Sequence, residues 1–281
     1  MPELPEVEVL ARHLAPLLRG KTVRGIKVLR PKVIAPTSRQ KLVRTLTGAK
    51  FTGLDRRGKF LLFRLRKNGQ PFSLLGHLGM TGRFFVQARH TGLPKHTAAY
   101  VELGKQNLVF EDQRYFGRLT LDMSSVDRLR PEALGADFTT GNFANALSRS
   151  AQAIKVKLLD QTVVAGIGNI YASEALFRAG ISPRLPARRL KPAQVGKLRQ
   201  TIRAVLADAI RRGSTIPLNF GESGSRDGLF YFGRAADAPD FYEERLLVYD
   251  RAGQPCVKCA TPVVRIVQAA RSTFFCPRCQ R

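Results

Sequence analysis

All four cysteines of this 281-residue chain stand close together as Cys256-x-x-Cys259 and, after sixteen further residues, Cys276-x-x-Cys279. Each C-x-x-C knuckle can supply two thiolates, and four thiolates surround Zn²⁺ tetrahedrally. In a reducing compartment the pattern reads as metal rather than disulfides, with iron as the other metal reading. Four protein ligands leave no open position for water or substrate, so the expected cofactor is one structural Zn²⁺. The opening run Met1-Pro2-Glu3-Leu4-Pro5-Glu6 offers a different chemistry. If Met1 is removed, Pro2 carries a free secondary amine. An α-amino group titrates at about pH 8, so a fraction is unprotonated and nucleophilic at neutrality. Glu3 beside it could act as a general acid. The plainer reading is that Pro and Glu suit the first turn of a helix.

Two more segments carry candidate contacts. Ala165-Gly166-Ile167-Gly168-Asn169-Ile170-Tyr171-Ala172-Ser173-Glu174 reads as a glycine-rich turn opening a helix, with Asn169 as its expected N-cap. Small residues there would let a phosphate backbone approach the free amides and positive end of the helix. The alternative is a tight turn between two helices. Between the cysteine pairs, Gln268, Ala269, Ala270 and Arg271 fall at the turn of two strand-like runs, Val263 to Val267 and Ser272 to Phe275, which would present Arg271 to a phosphate.

These groups need elements to hold them. Val7, Leu10, Leu14, Leu17 and Leu18 recur at helical spacing and stop before Gly20, which predicts an amphipathic helix behind Pro2. From Thr22 to about Leu121 the pattern turns to short β-rich runs, among them Val23 to Leu29, Phe60 to Leu65, Tyr100 to Leu103 and Asn107 to Phe110, fitting a sandwich or barrel. The β character stops around Arg130-Pro131-Glu132, and Asn142 to Arg212 reads as consecutive helices. Gly213 to Pro239, rich in Gly, Ser and aromatic residues, has no period and reads as a long loop.

With 47 Lys and Arg against 21 Asp and Glu, the formal net charge is +26 and the calculated isoelectric point about 11.0. The cations are spread along the chain, so the basic surface belongs to the folded body and nucleic acid is the first candidate partner. A solvated surface adapted to its host is the bland alternative. No apolar run reaches the ~18 residues of a membrane span, and the first residues lack the apolar stretch of a signal peptide, so a cytoplasmic location is expected.

Taken together, Pro2-Glu3-Leu4-Pro5-Glu6-Val7-Glu8, Arg57-Gly58-Lys59-Phe60, Gly76-His77-Leu78-Gly79-Met80, the turn at Gly166 to Asn169 and the terminal cysteines resemble the Fpg/Nei family of DNA glycosylases. The opening run is nearest the formamidopyrimidine-DNA glycosylase, or MutM, branch. The resemblance implies an α+β fold with three parts: an N-terminal β-sandwich with a flanking helix (1–131), a helical domain with a helix-two-turn-helix (132–245), and a zinc-finger β-hairpin (246–281). It also implies a nucleoid-associated monomer acting on damaged double-stranded DNA without a membrane. Base flipping would precede a glycosylase and lyase reaction through Pro2, Glu3 and Lys59. Lys59, His77, Asn169 and Arg271, with Lys155, would hold phosphates. Met80, Arg114 and Phe116 would fill the space left by the flipped base; without the resemblance, Met80 and Phe116 read as core. Where the branch carries a Gly- and Thr-rich lesion-capping loop, this chain reads Gly213-Ser214-Thr215-Ile216-Pro217-Leu218-Asn219-Phe220, which implies a lesion preference different from 8-oxoguanine alone. The rival readings are a non-catalytic DNA- or RNA-binding protein and a glycosylase for oxidised pyrimidines.

Overall fold

The computed structural model describes residues 2–213 and 246–281. Of the long loop expected from Gly213 to Pro239, only Gly213 falls among them. The chain divides into two compact units, the first running through Asp127 and the second starting at Arg128.

The first unit opens with helix α1 (Leu4–Leu18), with Pro5 in its first turn, where a missing amide costs no hydrogen bond. Leu4, Val7, Leu10, Leu14 and Leu18 are buried, whereas Leu17, expected on the same stripe, is 38% exposed because the helix presents only one face to the sheets. Eight antiparallel strands follow: β1 (Gly25–Val28), β2 (Lys50–Arg57), β3 (Phe60–Lys67), β4 (Gln70–His77), β5 (Gly82–Ala88), β6 (Thr97–Glu102), β7 (Gln106–Asp112) and β8 (Arg118–Thr120). They form two sheets, in the orders β1-β6-β7-β5 and β2-β3-β4-β8. Phe63 of one sheet meets Phe84 of the other edge-on at 5.4 Å between centroids, and Phe84 stacks on Phe110 at 4.3 Å. Each ring is at most 1% exposed, worth about 2–3 kcal/mol apiece relative to water. Sequence periodicity did not disclose α2 (Arg39–Leu46), a short helix capped by Ser38, whose side chain accepts the Lys41 amide at 3.2 Å.

Pairing of Arg57 with Phe60 leaves Gly58-Lys59 as a two-residue turn, and pairing of Phe60 with His77 brings that turn to the same sheet end as His77. The opposite sheet end closes at Asn68-Gly69, both with positive φ, the turn chemistry of a two-residue hairpin. A short helix α3 (Ser124–Asp127) ends the unit.

In the second unit, α4 (Thr140–Leu147) and the 20-residue α7 (Pro192–Arg211) pack together, and α7 also lies on α6 (Asn169–Ala179). Helix α6 is buried almost all round, which suits a central helix. Between α5 (Ile154–Leu158) and α6 the chain makes two tight turns, so the helix-two-turn-helix occupies residues 154–179. Strands β9 (Val264–Gln268) and β10 (Arg271–Phe275) form a hairpin with Gln268 opposite Arg271. Phe177 of α6 shares a small core with Val248, Val263, Phe274, Cys256 and Cys276, which joins the cysteine module to the helices.

Candidate functional site

The head of α1 is locked before any chemistry is considered. Pro2 and Glu3 are buried, and the Glu3 amide donates to the fully buried Glu6 carboxylate at 2.7 Å, tying the entry strand to the first turn. One turn on, Glu8 accepts from Arg56 at 2.7 Å and from Arg12 at 2.7 Å, which fastens α1 to β2. Burial alone would raise the Glu8 pKa, but the two guanidinium groups outweigh it and hold the carboxyl below its ordinary value. Arg56 also donates to the Gly58 carbonyl at 3.1 Å, steadying the turn that carries the buried Lys59. Sequence reading singled out Pro2, Glu3 and Lys59; Glu6 and Glu8 were missed because charged residues at helical spacing read as a solvated face, and Arg56 because an arginine on a strand carries no signal of its partner.

His77 lies over Phe60 with ring centroids 4.7 Å apart, and its Nδ1 accepts the Gly79 amide at 3.2 Å. Burial, together with the nearby cations Lys59 and Arg118, pushes its pKa down to about 4. A neutral ring that accepts at Nδ1 carries its proton on Nε2, so His77 is a hydrogen-bond donor at neutral pH.

Met80, Arg114 and Phe116 come together on the surface. Met80 is 41% and Phe116 46% exposed, which removes the core reading for both. The Arg114 guanidinium donates to the Met80 sulfur at 3.1 Å and lies 4.9 Å from the Phe116 ring centroid. Lys32 covers the same ring at 5.4 Å. Beneath them the fully buried Asp112 accepts the Thr81 hydroxyl at 2.6 Å, the Arg114 amide at 3.2 Å and the Gly117 amide at 2.7 Å, clamping both ends of the loop. Gly79, at φ +60°, permits the close approach of the two segments: a Cβ there would sit 2.6 Å from the Gly117 amide nitrogen. Asp112 was not singled out from the sequence, since a lone Asp at a strand end carries no signal of its hydrogen bonds.

In the second unit the expected N-cap is displaced by one residue. Gly168 caps α6, and Asn169 is its first helical residue, with its side chain turned to β10, where Nδ2 donates to the Ser272 carbonyl at 2.9 Å. Lys155 is completely buried; its ammonium donates to Asn169 Oδ1 and, at 3.3 Å, to the same Ser272 carbonyl. The ammonium that the family resemblance would bring to a phosphate is tied here to Asn169 and to β10. Arg271 is exposed at the start of β10, as the hairpin reading expected. Gln161 shapes the two turns, donating to the Leu159 and Ile167 carbonyls at 3.0 and 2.9 Å while its Oε1 accepts the Gly166 amide at 2.9 Å.

The four cysteine sulfurs lie within 4.8 Å of one another, with close pairs at 3.4, 3.5 and 3.9 Å. A tetrahedron with Zn–S bonds of about 2.3 Å has edges of about 3.8 Å, so Cys256, Cys259, Cys276 and Cys279 fit one structural Zn²⁺. The module is fastened by Glu174 of α6, 1% exposed, whose carboxylate accepts the Leu247, Val248 and Tyr249 amides at 2.9–3.1 Å. Burial raises its pKa above the ordinary value, and the three amides pull the other way. No described helix is long and apolar enough to cross a membrane.

Three family models match the chain in order. The formamidopyrimidine-DNA glycosylase N-terminal domain covers residues 1–119, the formamidopyrimidine-DNA glycosylase H2TH domain residues 129–219, and a zinc finger found in FPG and IleRS residues 253–281. A formamidopyrimidine-DNA glycosylase of Chloroflexus aurantiacus is 41% identical over 100% of this chain and 98% of its own length. Another, of Geobacillus kaustophilus, is 36% identical over 100% of both. Among solved structures, Lactococcus lactis Fpg in complex with DNA containing an abasic site superposes with a TM-score of 0.88 at 30% identity, covering 99% of each chain. MutM in complex with DNA containing carbocyclic 8-oxo-G superposes at 0.86 and 30% identity over 100% of each. By its matched domains and its full-length relatives, this chain belongs to the formamidopyrimidine-DNA glycosylase family of DNA-repair enzymes.

Proposed function

We propose that this chain is a bifunctional DNA glycosylase and abasic-site lyase that removes oxidised purines, formamidopyrimidines and 8-oxoguanine, from duplex DNA. The observation that carries the reading is the buried Pro2-Glu3 pair locked at the head of α1 in a chain of this family. With Met1 removed, the Pro2 nitrogen attacks C1′ of a flipped nucleotide. The C1′–N bond to the damaged base breaks, its electron pair leaves with the base, and the base takes up the proton that the Pro2 nitrogen sheds on bonding to C1′. Glu3 gives a proton to the ring oxygen as the sugar opens, which leaves an iminium between Pro2 and C1′. The iminium acidifies the C2′ proton; its loss expels the 3′ phosphate, and a second elimination expels the 5′ phosphate, leaving a one-nucleotide gap. Zinc enters no step. It holds the hairpin that carries Arg271.

Neutral His77 donates through Nε2 to a phosphate oxygen, and Lys59, Asn169 and Arg271 supply further donors, with Lys155 positioning Asn169. These contacts fix geometry rather than sequence. Met80 and Phe116 replace the lost base stacking, and Arg114 pairs with the orphaned opposite base. The chain works as a monomer, since one lesion needs no twofold partner. A second reading, of altered lesion preference, rests on the sequence Gly213 to Phe220, which lacks the branch's usual Gly- and Thr-rich pattern. Excision rates on duplexes carrying formamidopyrimidine, 8-oxoguanine and oxidised pyrimidines, with the cleaved ends analysed, test both. Purine release with phosphates on both sides of a gap is expected. Preferential release of pyrimidines would move the assignment to the second reading, and release of no base would leave a DNA-binding protein.

A further inference from the structure

The sandwich has two ends. Pro2, Lys59, His77, Met80 and Arg114 belong to one. Helix α1, 15 residues long, carries the chain about 22 Å to the other at ~1.5 Å per residue. Strand β4, eight residues from His77 back to Gln70, spans a similar length at ~3.3 Å per residue.

That far end has no part in the chemistry above, yet it gathers Arg19, Lys21, Lys50, Arg66, Arg89 and Lys105, all exposed. None of the six makes an ion pair with any described residue. Of the nine carboxylate residues between Pro2 and Asp127, only Glu102 stands at this end, where its side chain packs on Gly25. Two adjoining grooves run between the cations. One, of about 820 Å³, is lined by Lys21, Arg89, His90 and Lys105; the other, of about 580 Å³, by Arg19, Lys50, Arg66 and Asn68. The segment Arg19 to Lys21 forms the ridge shared by both.

Like charges left unpaired and close together repel, and a bound polyanion relieves that cost. Single-stranded nucleic acid calls for aromatic stacking platforms, protein partners for buried aromatic anchors and a membrane surface for an apolar insertion. Among the exposed large hydrophobic residues of the described chain the one aromatic is Phe116, at the opposite end. Groove walls rimmed by Lys and Arg, with no exposed Phe, Tyr or Trp lining them, suit the phosphate backbone of a duplex. We infer that the far end of the sandwich is a second binding surface for double-stranded DNA, through which the protein holds an undamaged segment while its reactive end engages another. Such bridging permits direct transfer between segments during a search for lesions.

The test uses the full-length zinc-loaded protein saturated with a duplex containing a tetrahydrofuran abasic analogue, to which a fluorescent undamaged duplex is added and the complexes are weighed by mass photometry. One protein with two duplexes is expected at low salt. In the variant Lys21→Gln/Lys50→Gln/Arg66→Gln/Lys105→Gln, affinity for the second duplex should fall at least ~10-fold and the salt slope of that step by up to about 4. Binding of the first duplex and single-turnover excision should stay unchanged, which separates this surface from the reactive end. Wild-type protein that accepts no second duplex, a variant that binds it within twofold of wild type, or preferential capture of phosphatidylglycerol vesicles by these cations would each overturn the inference.

Discussion

Replacing Asp112 by alanine should free the loop that carries Arg114 and Phe116 while leaving the sandwich folded. The carboxylate holds three donors: the Thr81 hydroxyl, the Arg114 amide and the Gly117 amide. Arg114 is exposed, so water can replace its bond at little cost; Gly117 is buried and Thr81 half-buried, so their donors lose an acceptor that water does not readily restore. At about 1.5 kcal/mol for each of these two charge-assisted bonds, the loop loses about 3 kcal/mol, or a factor of roughly 150 in its opening equilibrium. Hydrogen exchange followed by mass spectrometry reads this directly: amides of residues 113–117 should exchange about 100-fold faster in Asp112→Ala, with the β3 and β4 amides unchanged. Asp112→Asn, which keeps one acceptor oxygen, should fall between the two. Fluorescence of 2-aminopurine opposite a lesion should lose its insertion-dependent change in parallel. Wild-type exchange at Gly117 in the alanine variant would refute the clamp, and faster exchange with an intact 2-aminopurine signal would refute its role in placing the wedge.

His77 should not titrate near its ordinary pKa of 6.5, because burial and the neighbouring cations push it to about 4. Between those values the unfolded chain binds a proton that the folded protein excludes, so stability should rise with pH from 4 to 6.5 by up to about 3 kcal/mol, and more steeply than in His77→Gln; an NMR midpoint near 6.5 would contradict this. Glu174→Ala strips three amides of their acceptor at the root of the cysteine module, an effect of about 3 kcal/mol that should appear as roughly 100-fold easier zinc release to a chelator. Ala269 and Ala270 occupy the hairpin turn at φ 47° and 58°, which suits Asn-Gly better than Ala-Ala. Ala269→Asn/Ala270→Gly should therefore stabilise the second unit by about 1 kcal/mol in thermal melts, with no gain expected if the turn is of another kind.

What was readable in the sequence was whatever declares itself by spacing. The two cysteine knuckles, the helix behind Pro2 and the glycine turn before α6 all depend on neighbours a few residues apart, and each lies where the spacing put it. Met80 and Phe116 show the limit, since side-chain type alone favoured the core and only the family resemblance pointed to the surface. Asn169 missed its N-cap place by one residue because its amide prefers the Ser272 carbonyl, 103 positions away, to its own helix. Lys155 entered only through the family resemblance, and nothing in its sequence neighbourhood announces its bonds to Asn169 and to the same long-range carbonyl. Glu8, Asp112 and Glu174 were invisible for a common reason: each is an acidic side chain with at least one donor, Arg56, Thr81 or the amides of 247–249, from a segment that only the fold brings near. Polar partners at long range are fixed by topology, and a single sequence carries no period that announces them.

The central claim is that Pro2 forms a covalent bond to the sugar of a damaged nucleotide, and borohydride trapping tests it most directly. The protein would be incubated with duplexes carrying 8-oxoguanine opposite cytosine or an abasic site, reduced, digested and mapped by mass spectrometry. An irreversible adduct on both duplexes, with the added mass at an N-terminal proline freed of Met1, is the predicted result. No adduct on either duplex, an adduct at a lysine instead of Pro2, or a retained Met1 in active protein would contradict it.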